Sequence, residues 1–247
     1  MIAYILLGIL QGLTEFFPVS SSGHLAVAQR LFAVQGDPLA ISVILHAGTL
    51  CSMAIFFFKE VIRLFRQLEL LVFVVIVTVI TGCIALPARH LVERLFVSPH
   101  WIAVGWVITG IILLCTARFG KSRRELVGIA DAFILGIAQG IAVIPGISRA
   151  GITMSTLLFR NIDRQTCFRF SFVAAMPVLL GACIIEAKEI GGAMQLHTHG
   201  LVAGFIASFI TGLIALWLLS RVMRKAALHY FGYYCIIIAV LTFIFVR

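Results

Sequence analysis

The stretch LLGILQGLTEFFPVSSSGHL (residues 6–25) has a counterpart later in the chain, ILGIAQGIAVIPGISRAGIT (residues 134–153). Each consists of an apolar segment, a proline, a short polar turn and a second apolar segment. The residues that recur at a spacing of 128 positions are Gly8 and Gly136, Gln11 and Gln139, Gly12 and Gly140, Ser20 and Ser148, and Gly23 and Gly151. Within a membrane, a helix interrupted by polar groups is typical of the place where a polar substrate is held.

The composition indicates a membrane protein. Hydrophobic residues make up 62% of the chain, charged residues make up 12%, and the mean hydropathy is +1.12. These values exclude an ordinary soluble domain. The net charge of +9 does not indicate a nucleic-acid partner, because the basic residues lie in short loops between apolar segments. The six cysteines form no CxxC pair and are expected to be small core residues.

Six apolar segments approach the roughly 20 residues that a membrane-spanning helix needs. They are residues 41–58, 70–86, 101–117, 170–185, 201–219 and 230–246. Most basic residues lie in the loops on one side of these segments, and the positive-inside rule makes that side cytoplasmic. The residues on that side are Lys59, Arg63, Arg66, Arg118, Lys121, Arg123, Arg124, Arg160, Arg164, Arg169, Arg221, Arg224 and Lys225. The opposite side has only Arg30, Arg89, Arg94, Lys188 and Arg247.

This charge pattern also places the two motifs. Residues 1–33 are expected to enter and leave on the outer side, the alternative being an N-terminus on the inner side, whereas residues 128–160 must enter and leave on the cytoplasmic side. The sequence therefore predicts an all-α polytopic membrane protein with six transmembrane helices and two re-entrant helical hairpins. A hairpin and three spans (residues 1–127) are followed by the same unit upside down (residues 128–247), which is an inverted-topology repeat within a single membrane domain. Both termini are expected outside.

The breaks in the two motifs contain charged groups at membrane depth. Gln11 and Glu15 are four residues apart and share one face of a helix. A charge at the membrane centre costs about 2.5–3.5 kcal/mol, so Glu15 and Arg149 are expected to face a cavity or a partner. One alternative is a purely structural ion pair between these two residues. That alternative leaves the neighbouring serines, histidine and Pro-Gly turn unexplained.

The turns suit an anionic ligand. Pro18 and Pro145 each end one half-helix, and the following residues can begin another, with N–H groups and hydroxyls at the positive end of its dipole. Gly146 is expected to let the backbone approach a ligand, and Arg149 offers a planar fork for phosphate oxygens. An arginine, a carboxylate, a histidine and several serines are typical of phosphoryl transfer. Their spacing does not separate this chemistry from phosphate binding.

At these residues the chain resembles the undecaprenyl-pyrophosphate phosphatase family, the BacA-type bacitracin-resistance proteins. The family pattern (E/Q)xxxE followed by PVSSxGH reads QGLTE (residues 11–15) and PVSSSGH (residues 18–24) here. The family pattern PGxSRSxxT reads PGISRAGIT (residues 145–153). The resemblance extends over essentially the whole chain and includes LHAGTL (residues 45–50).

The resemblance implies an integral membrane hydrolase of the bacterial cytoplasmic (inner) membrane. Its substrate would be undecaprenyl diphosphate, and its product, undecaprenyl phosphate, is the lipid carrier for cell-wall synthesis. The active site would open to the periplasmic side. By resemblance, Glu15, His24 and Arg149 are the residues on which the family most depends, while Ser21 and Ser148 are hydroxyls that handle or attack phosphate.

The chain departs from the family pattern at two positions. Gln11 stands where many members have a second glutamate, which weakens a two-carboxylate metal site. Ala150 replaces the usual serine after the arginine and removes one hydroxyl. Neither change affects the residues on which the family most depends, so we expect activity.

The working hypothesis is that the polyprenyl tail lies in lipid between the spans while the diphosphate reaches both turns. A divalent cation, Mg²⁺ or Ca²⁺, would bridge phosphate oxygens and Glu15, with Gln11 as a neutral ligand. Ser21 attacks the terminal phosphorus, or His24 orients a water that does so and carries the proton. The other residues expected at the phosphate are Ser20, Ser22, Gly23, Gly146, Ser148 and Thr153. Polyprenyl diphosphate and membrane lipids are the expected partners, and a homodimer is left open.

Four further positions receive structural interpretations. His46 is expected to be a hydrogen-bonded core histidine rather than a cavity residue. Asp131 is expected to cap the first turn of the second motif. Trp101 and Trp106 suit an interfacial aromatic belt.

Two other functions are compatible with this sequence. Inverted repeats with broken helices also form secondary transporters, so a transporter or flippase of a phosphate-bearing polyprenyl lipid or an anionic solute is the main alternative. A protein that confers drug resistance by binding its ligand without catalysis is the weaker one.

Overall fold

The computed structural model describes residues 1–32, 38–96, 98–119, 124–189 and 198–245. The sequence-based assignments that fall outside these residues concern position 33, Lys121, Arg123, position 246 and Arg247.

The described residues are almost entirely helical, with one isolated bridge between Arg124 and Ile162. The eleven α-helices of this part of the chain are α1 (Ile2–Phe16), α2 (Ser21–Phe32), α3 (Pro38–Phe56), α4 (Phe58–Arg66), α5 (Leu68–Phe96), α6 (Pro99–Cys115), α7 (Ile129–Ile141), α8 (Arg149–Phe159), α9 (Arg164–Glu189), α10 (Thr198–Arg224) and α11 (Tyr230–Phe245). A 3₁₀ turn, Thr116–Arg118, follows α6. The prediction of an all-α protein is confirmed for these residues.

Five of the described helices are long and apolar enough to cross a membrane, namely α3, α5, α9, α10 and α6 with its 3₁₀ turn. Four of them contain a whole predicted span. Helix α3 ends at Phe56, so the predicted span 41–58 runs two residues too far, to the start of α4. The sixth predicted span corresponds to α11, which has 16 residues. At 1.5 Å per residue this helix is about 24 Å long, less than the roughly 30 Å hydrocarbon core of a bilayer. The count of six spans therefore stays a prediction.

Two segments that were predicted to be loops are helical in the structure. Residues after the first span form α4, whose apolar Phe65 is exposed beside charged residues. Helix α5 continues through Pro87 to Phe96, so Arg89 lies on a helix and its Nε donates to Glu93 Oε1 at 2.9 Å. This pair, four residues apart, is one local interaction that supports the helix beyond the proline.

Helices from the two halves of the chain pack together in matched pairs. Helix α1 packs against α10, and its counterpart α7 packs against α5. Helix α3 contacts α10, and its counterpart α9 contacts α5, while α6 and α11 pack against each other. Each of these helix–helix contacts therefore has a counterpart between the equivalent helices of the other half, or joins two equivalent helices.

The glycines of the repeated motif are positions of close helix packing. A Cβ at Gly12 would lie 2.0 Å from Thr211 Oγ1 on α10, and one at Gly140 would lie 2.8 Å from Ile84 Cβ on α5. Small residues allow helices to approach closely in a membrane, where packing rather than burial from water drives association. The matched glycines therefore allow α1 and its counterpart α7 to pack closely against a helix of the opposite half.

The interior is aromatic and the outer surface is apolar. Phe16, Phe57 and Phe172 are fully buried and lie within ring-contact distance, with centroids 5.7–5.8 Å apart. Large apolar side chains such as Val75 and Ile206 are about half exposed on the outer faces of the long helices. An apolar exterior of this kind is expected of helices that face lipid.

Contacts bring several of the predicted cytoplasmic residues to one end of the bundle. Arg169 Nε lies 3.6 Å from Glu60 Oε1, and these residues line a cleft of about 810 Å³ together with Lys59 and Arg63. The clustering of these charges supports their assignment to one side of the membrane.

At the same end, contacts of Asp131 join the two ends of the second hairpin. Asp131 accepts a hydrogen bond from the Gly128 N–H at 2.8 Å, as the predicted cap requires. Its carboxylate also pairs with Arg124 at 2.6 Å and with Arg160 at 2.9 Å. Asp131 thus ties the start of α7 to the end of α8.

Candidate active site

Both predicted helix breaks are present. Helix α1 ends at Phe16 and α2 begins at Ser21, while α7 ends at Ile141 and α8 begins at Arg149. Each connecting turn contains one residue with left-handed backbone geometry, Ser20 with φ +67° and Gly146 with φ +86°. These turns place the first residues of α2 and α8 near the end of α1.

The carboxylate of Glu15 lies at the centre of the site. Arg149 Nη2 donates to Glu15 Oε1, which joins the two motifs in a short ion pair. Ser21 Oγ donates to Glu15 Oε2 at 2.6 Å, and Gln11 Nε2 donates to the same oxygen at 3.1 Å. The Glu15 side chain is 3% exposed, so these donors compensate a charge that is almost fully removed from solvent.

His46 also lies beside this carboxylate. Its Nε2 is 3.5 Å from Glu15 Oε2, and its Nδ1 lies 2.9 Å from the Ser42 carbonyl oxygen. His46 is thus hydrogen-bonded within its own helix, as predicted, and its other ring nitrogen also lies near the charged group of the site, which the prediction did not include. A polar residue in the middle of an otherwise apolar span was the signal in the sequence that pointed to this position.

Two buried polar atoms in the site have no hydrogen-bond partner among the residues that the structure describes. They are Gln11 Oε1 and Arg149 Nη1. An unsatisfied buried donor or acceptor costs about 1–3 kcal/mol, more when it belongs to a charged group. The free arginine N–H groups suit an anion, and the free amide oxygen suits a cation or a water. Both atoms therefore point to a ligand at this position.

The other hydroxyls are engaged within the protein. Ser20 Oγ and Ser22 Oγ lie 3.2 Å apart. Ser148 Oγ caps α8 by accepting from the Gly151 N–H at 3.1 Å. Thr153 Oγ1 donates to the Arg149 carbonyl at 2.7 Å and lies 2.5 Å from Ser171 Oγ. Ser148 and Thr153 thus support the helix that carries the arginine.

The glycines of the two turns face helix α6. A Cβ at Gly146 would lie 2.1 Å from the Ile102 carbonyl oxygen, and one at Gly23 would lie 2.9 Å from Cζ2 of Trp106. The close approach at Gly146 in the structure is to α6, and approach of a ligand to this backbone stays a prediction. A glycine is required here by packing and by its positive φ.

Helix α6 holds both turns in place. Trp106 Nε1 donates to the Val19 carbonyl at 2.8 Å in the first turn. Thr109 Oγ1 donates to the Gly146 carbonyl at 3.0 Å and accepts from the Ser148 N–H at 2.9 Å in the second. The interfacial role predicted for Trp106 was wrong, because this side chain is buried. Trp101 is exposed, as a residue of an aromatic belt would be.

His24 lies on a different side of the first turn. Its Nδ1 is 2.7 Å from the Ser20 carbonyl oxygen, and its Nε2 is 2.8 Å from the Tyr234 hydroxyl on α11. The ring contacts and hydrogen bonds of the described residues join His24 to Ser20, Trp106 and Tyr234 rather than to Glu15. Nothing in the sequence near His24 indicated Tyr234, which is 210 positions away.

A metal ion would find few protein ligands here. The described part of the chain contains no cluster of three or more His, Cys, Asp or Glu residues that could hold one. Glu15 and the free Gln11 Oε1 can supply two oxygens, and Mg²⁺ commonly binds through one or two carboxylates with substrate phosphates and water. These donors fit a cation that arrives together with a phosphate.

The geometry matches an activated nucleophile beside an anion site. The Ser21 hydroxyl is within hydrogen-bond distance of a carboxylate that can take its proton. Arg149 keeps its Nη1 available while Nη2 holds that carboxylate. A phosphate whose oxygens accept from Nη1 would therefore lie beside the carboxylate that Ser21 contacts.

Comparison with known proteins gives consistent matches over nearly the whole chain. The family model described as "Bacitracin resistance protein BacA" matches residues 4–241. The undecaprenyl-diphosphatase of Carboxydothermus hydrogenoformans is 34% identical over 244 residues, which cover 96% of this chain and 94% of that protein. The undecaprenyl-diphosphatase of Thermotoga petrophila is 37% identical over 242 residues, with 97% and 98% covered. On this evidence, the chain belongs to the BacA family of bacitracin resistance proteins.

Proposed function

We propose that this protein hydrolyses undecaprenyl diphosphate to undecaprenyl phosphate and inorganic phosphate. This reaction recycles the lipid carrier of cell-wall synthesis and contributes to bacitracin resistance. Undecaprenyl-diphosphatases that match nearly the whole chain support it. The observation that carries it is the bond from Ser21 to Glu15 beside an arginine with a free Nη1.

The mechanism begins with the terminal phosphate bound at Arg149 Nη1. Ser21 Oγ attacks the terminal phosphorus, Glu15 takes the hydroxyl proton, and the anhydride P–O bond breaks. Undecaprenyl phosphate leaves, a phosphoserine forms, and the proton on Glu15 passes to solvent with His24 as its carrier. Glu15 then deprotonates a water molecule that attacks the phosphoserine. The bond between phosphorus and Ser21 Oγ breaks, the proton on Glu15 moves to Ser21 Oγ, and inorganic phosphate leaves. Arg149 stabilises the charge on the phosphoryl oxygens in both steps.

A divalent cation, Mg²⁺ or Ca²⁺, is part of this proposal. Glu15 and Gln11 Oε1 would hold it against the phosphate oxygens. Bound there, it would neutralise charge on the diphosphate and stabilise the leaving phosphate.

The protein is proposed to lie in the bacterial cytoplasmic membrane as an inverted-topology repeat of six spans and two re-entrant hairpins. The matched packing of α1 on α10 and α7 on α5 supports the repeat. Lys59, Arg63 and Arg169 line the cleft at one end of the bundle, and the positive-inside rule, which counts lysine and arginine, supports a cytoplasmic assignment for that end. The diphosphate would enter from the periplasmic side, with its polyprenyl tail among membrane lipids.

Phosphate release from a polyprenyl diphosphate by the purified protein in detergent with Mg²⁺ tests the proposal. Detergent abolishes vectorial transport, so a transporter or flippase without hydrolytic activity gives no signal. Glu15→Gln should abolish release, whereas Glu60→Gln, at an exposed ion pair far along the chain, should retain it. Equal activity of the Glu15→Gln variant and the wild type would refute this mechanism.

A further inference from the structure

Tyr234 of helix α11 contacts the one nitrogen of His24 that is free to accept a proton. The Ser20 carbonyl, 2.7 Å from Nδ1, can only accept a hydrogen bond, so Nδ1 carries hydrogen. In the neutral ring Nε2 is then an acceptor, and the Tyr234 hydroxyl, 2.8 Å away, donates to it.

The imidazole of His24 is also held from both sides. The Tyr234 ring is nearly parallel to it, with centroids 5.8 Å apart and an interplanar angle of 12°. The Trp106 ring meets it edge-on at 5.0 Å. These contacts fix the ring plane, and the two hydrogen bonds fix its rotation.

Helix α11 is docked against the turn that precedes His24. Cys235 Sγ lies 3.6 Å from the Pro18 carbonyl oxygen, and the Phe17 and Phe231 rings are 5.3 Å apart. Tyr234 is therefore presented to His24 by a packed helix. His24 is 8% exposed and Tyr234 is 43% exposed, so the tyrosine lies between the histidine and the surroundings of the protein.

We propose that Tyr234 is a positioning residue for His24 in the phosphatase reaction. It orients the imidazole and satisfies Nε2, the nitrogen through which His24 can carry a proton. This inference deepens the proposed function and depends on it for the catalytic part. The contact itself can be tested separately.

The kinetic test compares Tyr234→Phe with Tyr233→Phe, a neighbouring exposed tyrosine on the same helix. Tyr234→Phe should lower kcat about tenfold with little change in KM, a smaller loss than the factor of about 100 or more that general acid–base catalysis contributes. Tyr233→Phe should keep the wild-type rate.

A double-variant comparison separates positioning from a general structural effect. In a His24→Gln background, Tyr234→Phe should have no further effect on kcat, because both residues act as one unit. An equal loss in the two backgrounds would overturn the proposal.

Nitrogen-15 NMR of the histidine-labelled protein tests the contact without any activity. The His24 signals are identified by their loss in His24→Gln. Tyr234→Phe should shift the Nε2 signal toward that of a nitrogen without a donor and leave the protonated Nδ1 signal in place. An unchanged Nε2 signal would overturn the proposal. A wild-type protein that releases no phosphate but shows this shift would refute the proposed function and leave the contact established.

Discussion

Ser21 and Arg149 occupy matched positions of the two motifs, 128 residues apart, and both bind the same carboxylate, Glu15. Each is the first residue of its helix, α2 or α8. The position that matches Glu15 in the second motif is Val143. The repeat has therefore kept one backbone arrangement and divided the chemistry: one half supplies the hydroxyl and the carboxylate, and the other supplies the guanidinium.

Replacing the nucleophile should abolish turnover. Ser21→Ala removes the hydroxyl that donates to Glu15 and should lower kcat by a factor of about 1000 or more, as the loss of a covalent nucleophile does. Phosphate release measures the rate, and mass spectrometry of acid-quenched wild-type protein should find phosphate on Ser21. The control is Ser220→Ala, at an exposed hydroxyl near the end of α10. Phosphate on His24 instead would contradict the assignment.

Arg149→Lys tests whether the guanidinium binds Glu15 through one nitrogen and phosphate through the other. A lysine ammonium is a point charge and cannot hold Glu15 and a phosphate through separate nitrogens of one planar group. We expect kcat/KM to fall about 100-fold, equivalent to roughly 2.7 kcal/mol of transition-state stabilisation. Arg89→Lys, at an exposed helix pair, serves as the comparison. Near-normal turnover of Arg149→Lys would exclude bidentate use of this residue.

Gly105→Ala should disturb the second turn. The added Cβ would lie 2.2 Å from the Pro145 carbonyl oxygen, so α6 or the turn must shift. Overpacking of this kind costs about 1–3 kcal/mol, and we expect a lower Tm in detergent together with lower activity. Gly82→Ala is a matched helical control with no atom within 4 Å, and it should keep or raise the Tm because alanine favours helix. Equal melting temperatures for both variants would contradict the packing shown here.

Trp106→Phe should weaken the support of the first turn. The substitution keeps an aromatic ring but loses the hydrogen bond to Val19, leaving that buried carbonyl unpaired at a cost of about 1–3 kcal/mol. A thermal melt should show a lower Tm than the wild type. Trp101→Phe, on the exposed side of the same helix, should melt like the wild type.

Gln11→Glu tests the cation. A second carboxylate next to Glu15 would repel it in the absence of a cation and bind the cation more tightly in its presence. The variant should be more strongly inhibited by EDTA, and it should reach half-maximal activity at a lower Mg²⁺ concentration. A titration of phosphate release against free Mg²⁺ measures both effects. Full activity of the wild type and the variant in EDTA would remove the cation from the mechanism.

The sequence was sufficient to predict the helix breaks and the meeting of the two motifs. The 128-residue offset, the prolines and the isolated charges are local or periodic signals. Glu15 and Arg149 were identifiable because unpaired charges are costly in lipid. The structure describes them in one ion pair.

Contacts that depend on tertiary packing were not predictable in this way. Trp106 and Tyr234 are residue types that are common at the membrane interface. Only the packing of α6 and α11 against the first turn shows that these two side chains contact the site instead. The sequence also did not reveal that the hydroxyls of Ser148 and Thr153 form hydrogen bonds within their own helix, and their contact with phosphate stays a prediction. The position of His46 beside Glu15 could be predicted only by knowing which face of α3 packs against α1.

A single rigid helix holds both turns, since Trp106 and Thr109 lie three residues apart on α6 and each bonds a different one. Because both turns are bonded to the same helix, the position of α6 determines the distance between the Ser21 hydroxyl and the Arg149 guanidinium. A small tilt of α6 would widen or narrow that gap. Any displacement of α6 would therefore reach the hydroxyl and the guanidinium together.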